Sequence, residues 1–281
     1  MTRFECAVVQ ISGVVKQLIC INWGRKYGPR YINRLYGGIS RNITPPFTLT
    51  CFCDTPEGIR SEVRTEPLPP LDVAMPKGTK GIWPKARLWN AELADLSGPV
   101  LFMDLDLVVV GNLDGFFTEG SAEDVILARN ENTPFEKLGQ TSIFRFPVGK
   151  LLPLLERFRS DPQGIADTYE FEQRFVTRNA PGGIKFWPSG WVRHFRRDCT
   201  QPFPLNYFRS PACPKDAKVV IFPGGTLPPH VIAGQYNKYY TTGGPMSHLK
   251  GLFAKDRRDP PFRYIRRYIR RTDWVEEAWR E

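Results

Sequence analysis

Residues 100–110, VLFMDLDLVVV, limit what this chain can fold into more than any other stretch. A dense run of large aliphatic and β-branched residues, entered through Gly98-Pro99, reads as a strand buried on both faces. The segments ahead of it alternate in kind. QLICIN, residues 17–22, is a first apolar strand, and WGRKYGPRYINRLYGGISRNI spaces Tyr27, Tyr31, Leu35 and Ile39 as a helix does. Gly37 and Gly38 are expected to weaken that helix toward its end. PPFTLTCFCD is a second strand closed by the turn DTPEG, and Pro67 to Lys80 is a Pro- and Gly-rich loop. KARLWNAELADL then reads as an amphipathic helix burying Leu88, Ala91, Leu93 and Leu96. Strand, helix, strand, helix, strand in this order predicts an α/β fold around a parallel, Rossmann-like sheet.

Beyond the central run, DVILAR and SIFRF read as strands, and LLPLLERFRS and Tyr169–Thr177 as helices. After Gly182-Gly183 the pattern is irregular and aromatic up to the strand KVVIFPGG. A tail from residue 255 differs again: on a helix, Tyr264, Ile265, Tyr268 and Ile269 would form a stripe beside Arg266, Arg267, Arg270 and Arg271. The expected organisation is one domain over 1–254 and a basic amphipathic tail over 255–281. No internal repeat is visible.

Composition narrows the class of partner. Lys plus Arg number 39 against 29 Asp plus Glu, a formal charge of +10, which suits nucleic acid, an anionic membrane or a phosphorylated substrate without choosing among them. No stretch approaches the roughly 20 apolar residues of a membrane span. The run from Ala7 to Ile21 is interrupted by Gln10, Ser12, Lys16 and Gln17 and lacks a basic start and a cleavage site. A mature protein starting near Met1 in the cytoplasm is therefore expected. Its 6 cysteines show neither CxxC nor zinc spacing and read as reduced thiols, with Cys51 and Cys53 on one face of a strand.

The chemistry converges on Asp104 and Asp106. Two residues apart on an extended chain, they share one side. Carboxylates pressed together repel, and one would tend to hold its proton unless a cation intervenes. Hard oxygen ligands suit Mg²⁺ or Mn²⁺, which also bridge phosphate oxygens. The end of a parallel strand is the usual ligand site of open α/β sheets. Asp114, in GNLD, is expected to cap the following turn.

LFMDLDLVVVGNLDGFF resembles the LYLDLDTVVVGDLDPLF type of segment in GT-A glycosyltransferases, notably the glycogenin-like family 8 enzymes. WGRKYGPRYINRLY, Trp23 to Tyr36, resembles the WGxKYGxxYVNRLY opening of a bacterial group of glycosyltransferase-like proteins. CFCDTPEGI is similar to that group's CFTDDPxGI, WPKARLW to WSKLxLF, WVRHFRRDC to WVxSFKxHC, and VVIFPGG to IVVFHGxPKP, so the likeness spans most of residues 17–235. The resemblance implies a single GT-A domain with a mostly parallel mixed sheet flanked by helices. It implies transfer from a nucleotide-sugar, UDP foremost, to a glycan or lipid-linked acceptor with a divalent cation as Lewis acid. Asp104 and Asp106 would carry the metal, and Trp23, Tyr27, Asp54, Lys85, Arg87, Gln140 and Ser142 would bind the donor, with Lys85 or Arg87 on its diphosphate beside the metal. Glu172-Gln173 stands where the family has a DQ pair, Gln140-Thr141-Ser142 where it has NxG/S, and Trp191 and Arg193 are acceptor candidates. Glycogenin-like relatives retain anomeric configuration, but no base or nucleophile is identifiable here.

The sequence departs from the family where a late His supplies a third metal ligand: the matching position is Pro223, and His230 is the candidate replacement. That loss keeps open a catalytically degenerate relative acting as a binding protein. A nucleotidyltransferase would open with a Gly-rich basic loop that NWGRKYG matches poorly. A nucleic-acid-binding protein is permitted by charge, but no recognised module is present, and no nucleic-acid partner is expected. For the tail, an ordinary solvated helix competes with peripheral contact on an anionic inner membrane face.

Overall fold

The computed structural model describes residues 14–131, 133, 135–222, 224–240, 243–254 and 258–281. Cys6 and Pro223 lie outside them. Four strands and one helix open the chain: β1 (Lys16–Asn22), α1 (Pro29–Ser40), β2 (Phe47–Cys53), β3 (Arg64–Pro67) and β4 (Pro99–Met103). β1 lies parallel to both β2 and β4, with Cys20 opposite Cys51, and β3 extends the parallel edge. Then follow β5 (Val108–Val109), α2 (Gly115–Thr118), β6 (Ile126–Arg129), β7 (Gly139–Pro147), α3 (Leu152–Ser160), α4 (Pro162–Tyr169), α5 (Glu172–Asn179) and β8 (Lys185–Phe186). The seven-stranded sheet runs β3-β2-β1-β4-β7-β6-β8, with β7 antiparallel to β4 and β6. It is the expected mixed, mostly parallel α/β sheet.

Alternation along the strands divides the core. Leu18, Cys20, Leu49, Cys51, Cys53, Leu101 and Met103 face α1, which buries Ile32, Leu35 and Ile39 against them. Ile19, Ile21, Phe52, Val100 and Phe102 face the other way, toward Phe158 of α3 and Phe175 of α5. There Trp83 stacks on Phe158 at 5.0 Å between ring centroids. With both faces covered, strands can be apolar throughout, which is why β1 and β4 read as unbroken hydrophobic runs.

Several expected elements take other forms. VLFMDLDLVVV is two strands in two sheets. β4 ends at Met103, the Asp104 N–H donates to the Ser142 carbonyl of β7, and the chain turns at Leu105 and Asp106. Val108 and Val109 then pair with β10 (Val219–Ile221), itself parallel to β9 (Val192–His194), in a separate three-stranded sheet. KARLWNAELADL is not an amphipathic helix but a 3₁₀ turn over Trp83–Trp89, after which Ala94 at φ 51° bends the chain and leaves Ala91 exposed. The single helix expected over Tyr169–Thr177 is broken: Glu170, at φ 61°, ends α4, and α5 restarts at Glu172.

The last segments are α6 (Pro228–Ile232), α7 (Pro245–Lys250), α8 (Pro261–Ile265) and α9 (Asp273–Ala278). The tail therefore forms two short helices instead of one amphipathic helix, and Tyr268 and Ile269 point inward. Ile269, Val275 and Trp279 pack with Val108, Val220 and Val231 in a third core cluster. Arg41 donates to the Ala278, Arg280 and Glu281 carbonyls at 3.0, 2.8 and 3.2 Å. Gly37 makes room for this, since a Cβ there would strike the Arg280–Glu281 backbone. The glycine pair of α1 is a docking surface, and the helix runs on through it to Ser40. Among the described residues no helix is long and apolar enough to cross a membrane.

Candidate active site

A cavity of about 550 Å³ opens beyond the end of β4, with Asp104, Asp106, Lys85, Gln140, Gln173 and His230 in its wall. A smaller chamber of about 100 Å³ adjoins it beneath Trp23 and Tyr27 and shares Lys26, Lys85, Asp104 and Asp106.

Each carboxylate of the pair has its own anchor. Lys85, 5% exposed, places Nζ 2.7 Å from Asp104 Oδ1 and 2.9 Å from Oδ2. Burial opposes the ammonium charge, but Asp104, then Glu172 and Asp106, raise the Lys85 pKa above its ordinary value. Asp106 Oδ2 accepts a 2.5 Å hydrogen bond from Tyr27 Oη. Burial, followed by the Asp104 charge, pushes the Asp106 pKa up against the opposing pull of Tyr27, Lys26 and Lys85. Two neighbouring carboxylates are hard oxygen ligands of the kind Mn²⁺ or Mg²⁺ takes, although Lys85 and Tyr27 already compensate part of their charge.

The wall opposite the lysines in chemical character is amide and hydroxyl. Ser142 N–H donates to Gln140 Oε1 at 2.8 Å, and Gln140 Nε2 donates to Ser142 Oγ. Glu172, 5% exposed at the start of α5, accepts from Ile82 N–H at 2.7 Å and from Thr141 Oγ1 at 3.3 Å. Its carboxylate is committed to the scaffold, although Glu172 lines the cavity together with Gln173. Gln140 and Gln173 also wall a side chamber of about 180 Å³ that contains His194, Glu131 and Arg197.

His230 shares the cavity with the aspartates, but its Nδ1 accepts from Leu227 N–H at 3.2 Å. In the neutral ring that bond puts the proton on Nε2, the opposite of what a cavity-facing Nε2 ligand needs. Among the described residues no three His, Cys, Asp or Glu side chains gather as a metal-ligand set. The structure thus brings Asp104 and Asp106 together and leaves His230 outside a three-ligand group.

Other expected residues stand elsewhere. Arg87 donates to the Pro69 carbonyl at 2.5 Å and anchors the Pro-rich loop. A 3₁₀ helix turns once in three residues, so Lys85 and Arg87 point in different directions and only Lys85 reaches the cavity. Asp54 accepts from Gly24 N–H at 2.7 Å, holding the loop after β1, and lines neither chamber. Asp114 makes no side-chain cap bond to α2: its carboxylate is taken up by Thr44 N–H and Oγ1 and by Lys16 at 3.2 Å. Trp191 packs on Phe116, and Arg193 pairs with Asp216 at 2.6 Å.

Residues the sequence did not single out complete the site. Lys26, Lys80 and Lys238 line the large cavity, and Gly224 and Gly225, both at positive φ, turn the chain along it after β10. Asn22, 5% exposed in the wall of the small chamber, has an Oδ1 with no partner. Lys26 was signalled by its place beside Tyr27 in WGRKYG; Lys238, in a motif-free segment, carried no signal.

No protein-family profile matches this sequence, and no curated protein does. Solved structures do match in fold. The galactosyltransferase LgtC, in complex with donor and acceptor sugar analogs, superposes at a TM-score of 0.55 and 13% identity over 81% of this chain and 92% of that one. The glycosyltransferase GlyE of Streptococcus pneumoniae TIGR4 gives 0.53 at 10% identity over 95% of this chain and 65% of that one. The bifunctional glycosyltransferase WbbM gives 0.53 at 12% identity over 76% of this chain and 46% of that one. This chain therefore spans most of LgtC, about two thirds of GlyE and under half of WbbM. Its fold is that of the GT-A glycosyltransferases.

Proposed function

We propose that this chain is a metal-dependent glycosyltransferase that moves a sugar from a UDP-sugar to a glycan or lipid-linked acceptor of the cell envelope. The observation that carries the reading is the Asp104–Asp106 pair, anchored by Lys85 and Tyr27 at a cavity whose other wall is Gln140, Ser142 and Gln173. Structural kinship with a galactosyltransferase held with donor and acceptor analogs supports a two-substrate reaction.

In this reading the base lies in the small chamber by Trp23 and Tyr27, with the unpartnered Asn22 Oδ1 offered to a base N–H. The diphosphate lies at the aspartates, and the sugar reaches Gln140 and Gln173. When bound, Mn²⁺ or Mg²⁺ supplies Lewis acidity to the departing diphosphate. The C1–O bond breaks with its electron pair on the nucleoside diphosphate, and an acceptor hydroxyl oxygen bonds C1 as its proton passes to an oxygen of the departing diphosphate. Lys85 holds Asp104 in place, its charge spent on that carboxylate. Glu172 fixes the Ile82 backbone and Thr141, keeping the sugar wall rigid. An acceptor in the side chamber would meet the sugar across Gln140 and Gln173.

Peripheral contact with an anionic membrane belongs to the same proposal, on a changed basis. The helical stripe is lost to the core, but Phe208, Phe253 and Phe262 are 74%, 88% and 61% exposed, with Arg266 over the Phe262 ring. Exposed aromatics beside arginines suit an anionic lipid interface.

Hydrolysis or transfer from UDP-sugars in the presence of Mn²⁺ tests the main reading. Turnover abolished in Asp106→Ala supports it, and no turnover of any nucleotide-sugar by the wild type favours a degenerate, binding-only relative.

A further inference from the structure

Four lysines line the large cavity: Lys26, Lys80, Lys85 and Lys238. Two are committed. Lys85 is buried against Asp104, and Lys80 Nζ lies 2.6 Å from Glu170. Lys26 and Lys238 differ, because among the described residues neither pairs with a carboxylate, and each ammonium rests near a neighbouring tyrosine ring, 4.5 Å from the Tyr27 centroid and 5.1 Å from that of Tyr239. They come from separate elements, the loop between β1 and α1 and the segment after α6. Both line the same cavity as Asp104, Asp106 and His230.

We propose that Lys26 and Lys238 form a two-point clamp for the diphosphate of the donor, a role assigned from sequence to Lys85 and Arg87. The inference rests on the nucleotide-sugar reading and deepens it. Arg87 is turned onto the Pro69 carbonyl, and the Lys85 charge is held on Asp104, so neither offers an uncommitted cation to an incoming anion. A mobile ammonium with three donors is suited to a diphosphate, whose oxygens present no single planar edge to match. Lys238 would also tie the segment after α6 to the nucleotide, doing by charge what His230 cannot do through its present hydrogen bond.

Calorimetric titration of the full chain with Mn²⁺ present tests this, using inorganic pyrophosphate, UDP and uridine as probes. Lys26→Ala and Lys238→Ala are each expected to weaken pyrophosphate and UDP about tenfold, as loss of a charge-assisted hydrogen bond would, and to leave uridine unchanged. Lys→Arg at either position should restore most of the loss. Lys80→Ala, already paired with Glu170, is the control and should change affinity less than about threefold, as for an exposed ion pair. Unchanged UDP and pyrophosphate affinity in Lys26→Ala/Lys238→Ala overturns the clamp while the donor reading stands. An equal loss in Lys80→Ala also overturns it, pointing to the general field of the cavity. Wild-type protein that binds neither UDP nor pyrophosphate overturns both. Because Lys26, Lys80 and Lys238 are all exposed, native circular dichroism and melting are expected for every variant.

Discussion

Tyr27 Oη and Asp106 Oδ2 lie 2.5 Å apart although 79 positions separate them in the chain. The first loop of the fold thereby fixes the orientation of the second aspartate. Burial, then Asp106, drives the Tyr27 pKa well up, so the phenol stays a donor at any working pH. Tyr27→Phe removes only that donor. The half-saturating Mn²⁺ concentration for turnover is expected to rise about tenfold, in line with a hydrogen bond to a charged group. Turnover titrated against Mn²⁺ checks this, and an unchanged requirement contradicts it.

Stability should fall on mild acidification because of His194. Burial, then Arg196 and Arg197, lowers its pKa to about 4, whereas an unfolded His takes its proton near about 6.5. Between those values the unfolded chain binds more protons than the folded one, so stability drops as pH falls through the window. Urea unfolding at about pH 6.5 and 4.5 should show the wild type losing about 2 kcal/mol more than His194→Gln. Parallel losses in the two proteins would remove His194 from the account.

The two glycines of α1 should behave in opposite ways. Gly37→Ala puts a Cβ into the Arg280–Glu281 backbone and is expected to cost about 2 kcal/mol. At Gly38 a Cβ would meet the Val109 side chain at 3.4 Å, an ordinary contact, so Gly38→Ala is expected to be neutral or to gain up to about 1 kcal/mol of helix propensity. Thermal melts of the two variants decide it. Equal effects would mean that the chain end does not dock as described.

Membrane association rests on the exposed aromatics. Phe208→Ser/Phe253→Ser/Phe262→Ser should lose most co-sedimentation with phosphatidylglycerol vesicles and keep donor hydrolysis. Equal sedimentation of variant and wild type would sink that part of the proposal.

What the sequence revealed and what it hid have the same physical origin. β1, β2 and β4 were legible because strands covered on both faces carry mostly apolar residues along their buried length. Asp104 and Asp106 stood out against that background. The break of VLFMDLDLVVV into two sheets was not legible, since the turn at Leu105–Asp106 buries Leu105 and Leu107 and keeps the run apolar through the bend. The tail misled for a related reason. Ile269 belongs to a core cluster with β5 and β10 and Tyr268 stacks on Tyr207, and a local helical spacing cannot report contacts that distant in sequence. Lys85 and Arg87 looked equivalent in sequence, and only their tertiary partners, Asp104 for one and the Pro69 carbonyl for the other, tell them apart. Lys238 depends wholly on tertiary placement.

The central claim is that Asp104 and Asp106 hold a cation against a nucleotide diphosphate. Crystals grown with Mn²⁺ and a UDP-sugar, measured for manganese anomalous scattering, test it most directly. The account predicts an anomalous peak within coordination distance of both carboxylates, about 2.1–2.3 Å, with the diphosphate on its far side. An ordered nucleotide elsewhere, or Lys85 and Tyr27 still occupying the carboxylates with no peak beside them, would contradict it.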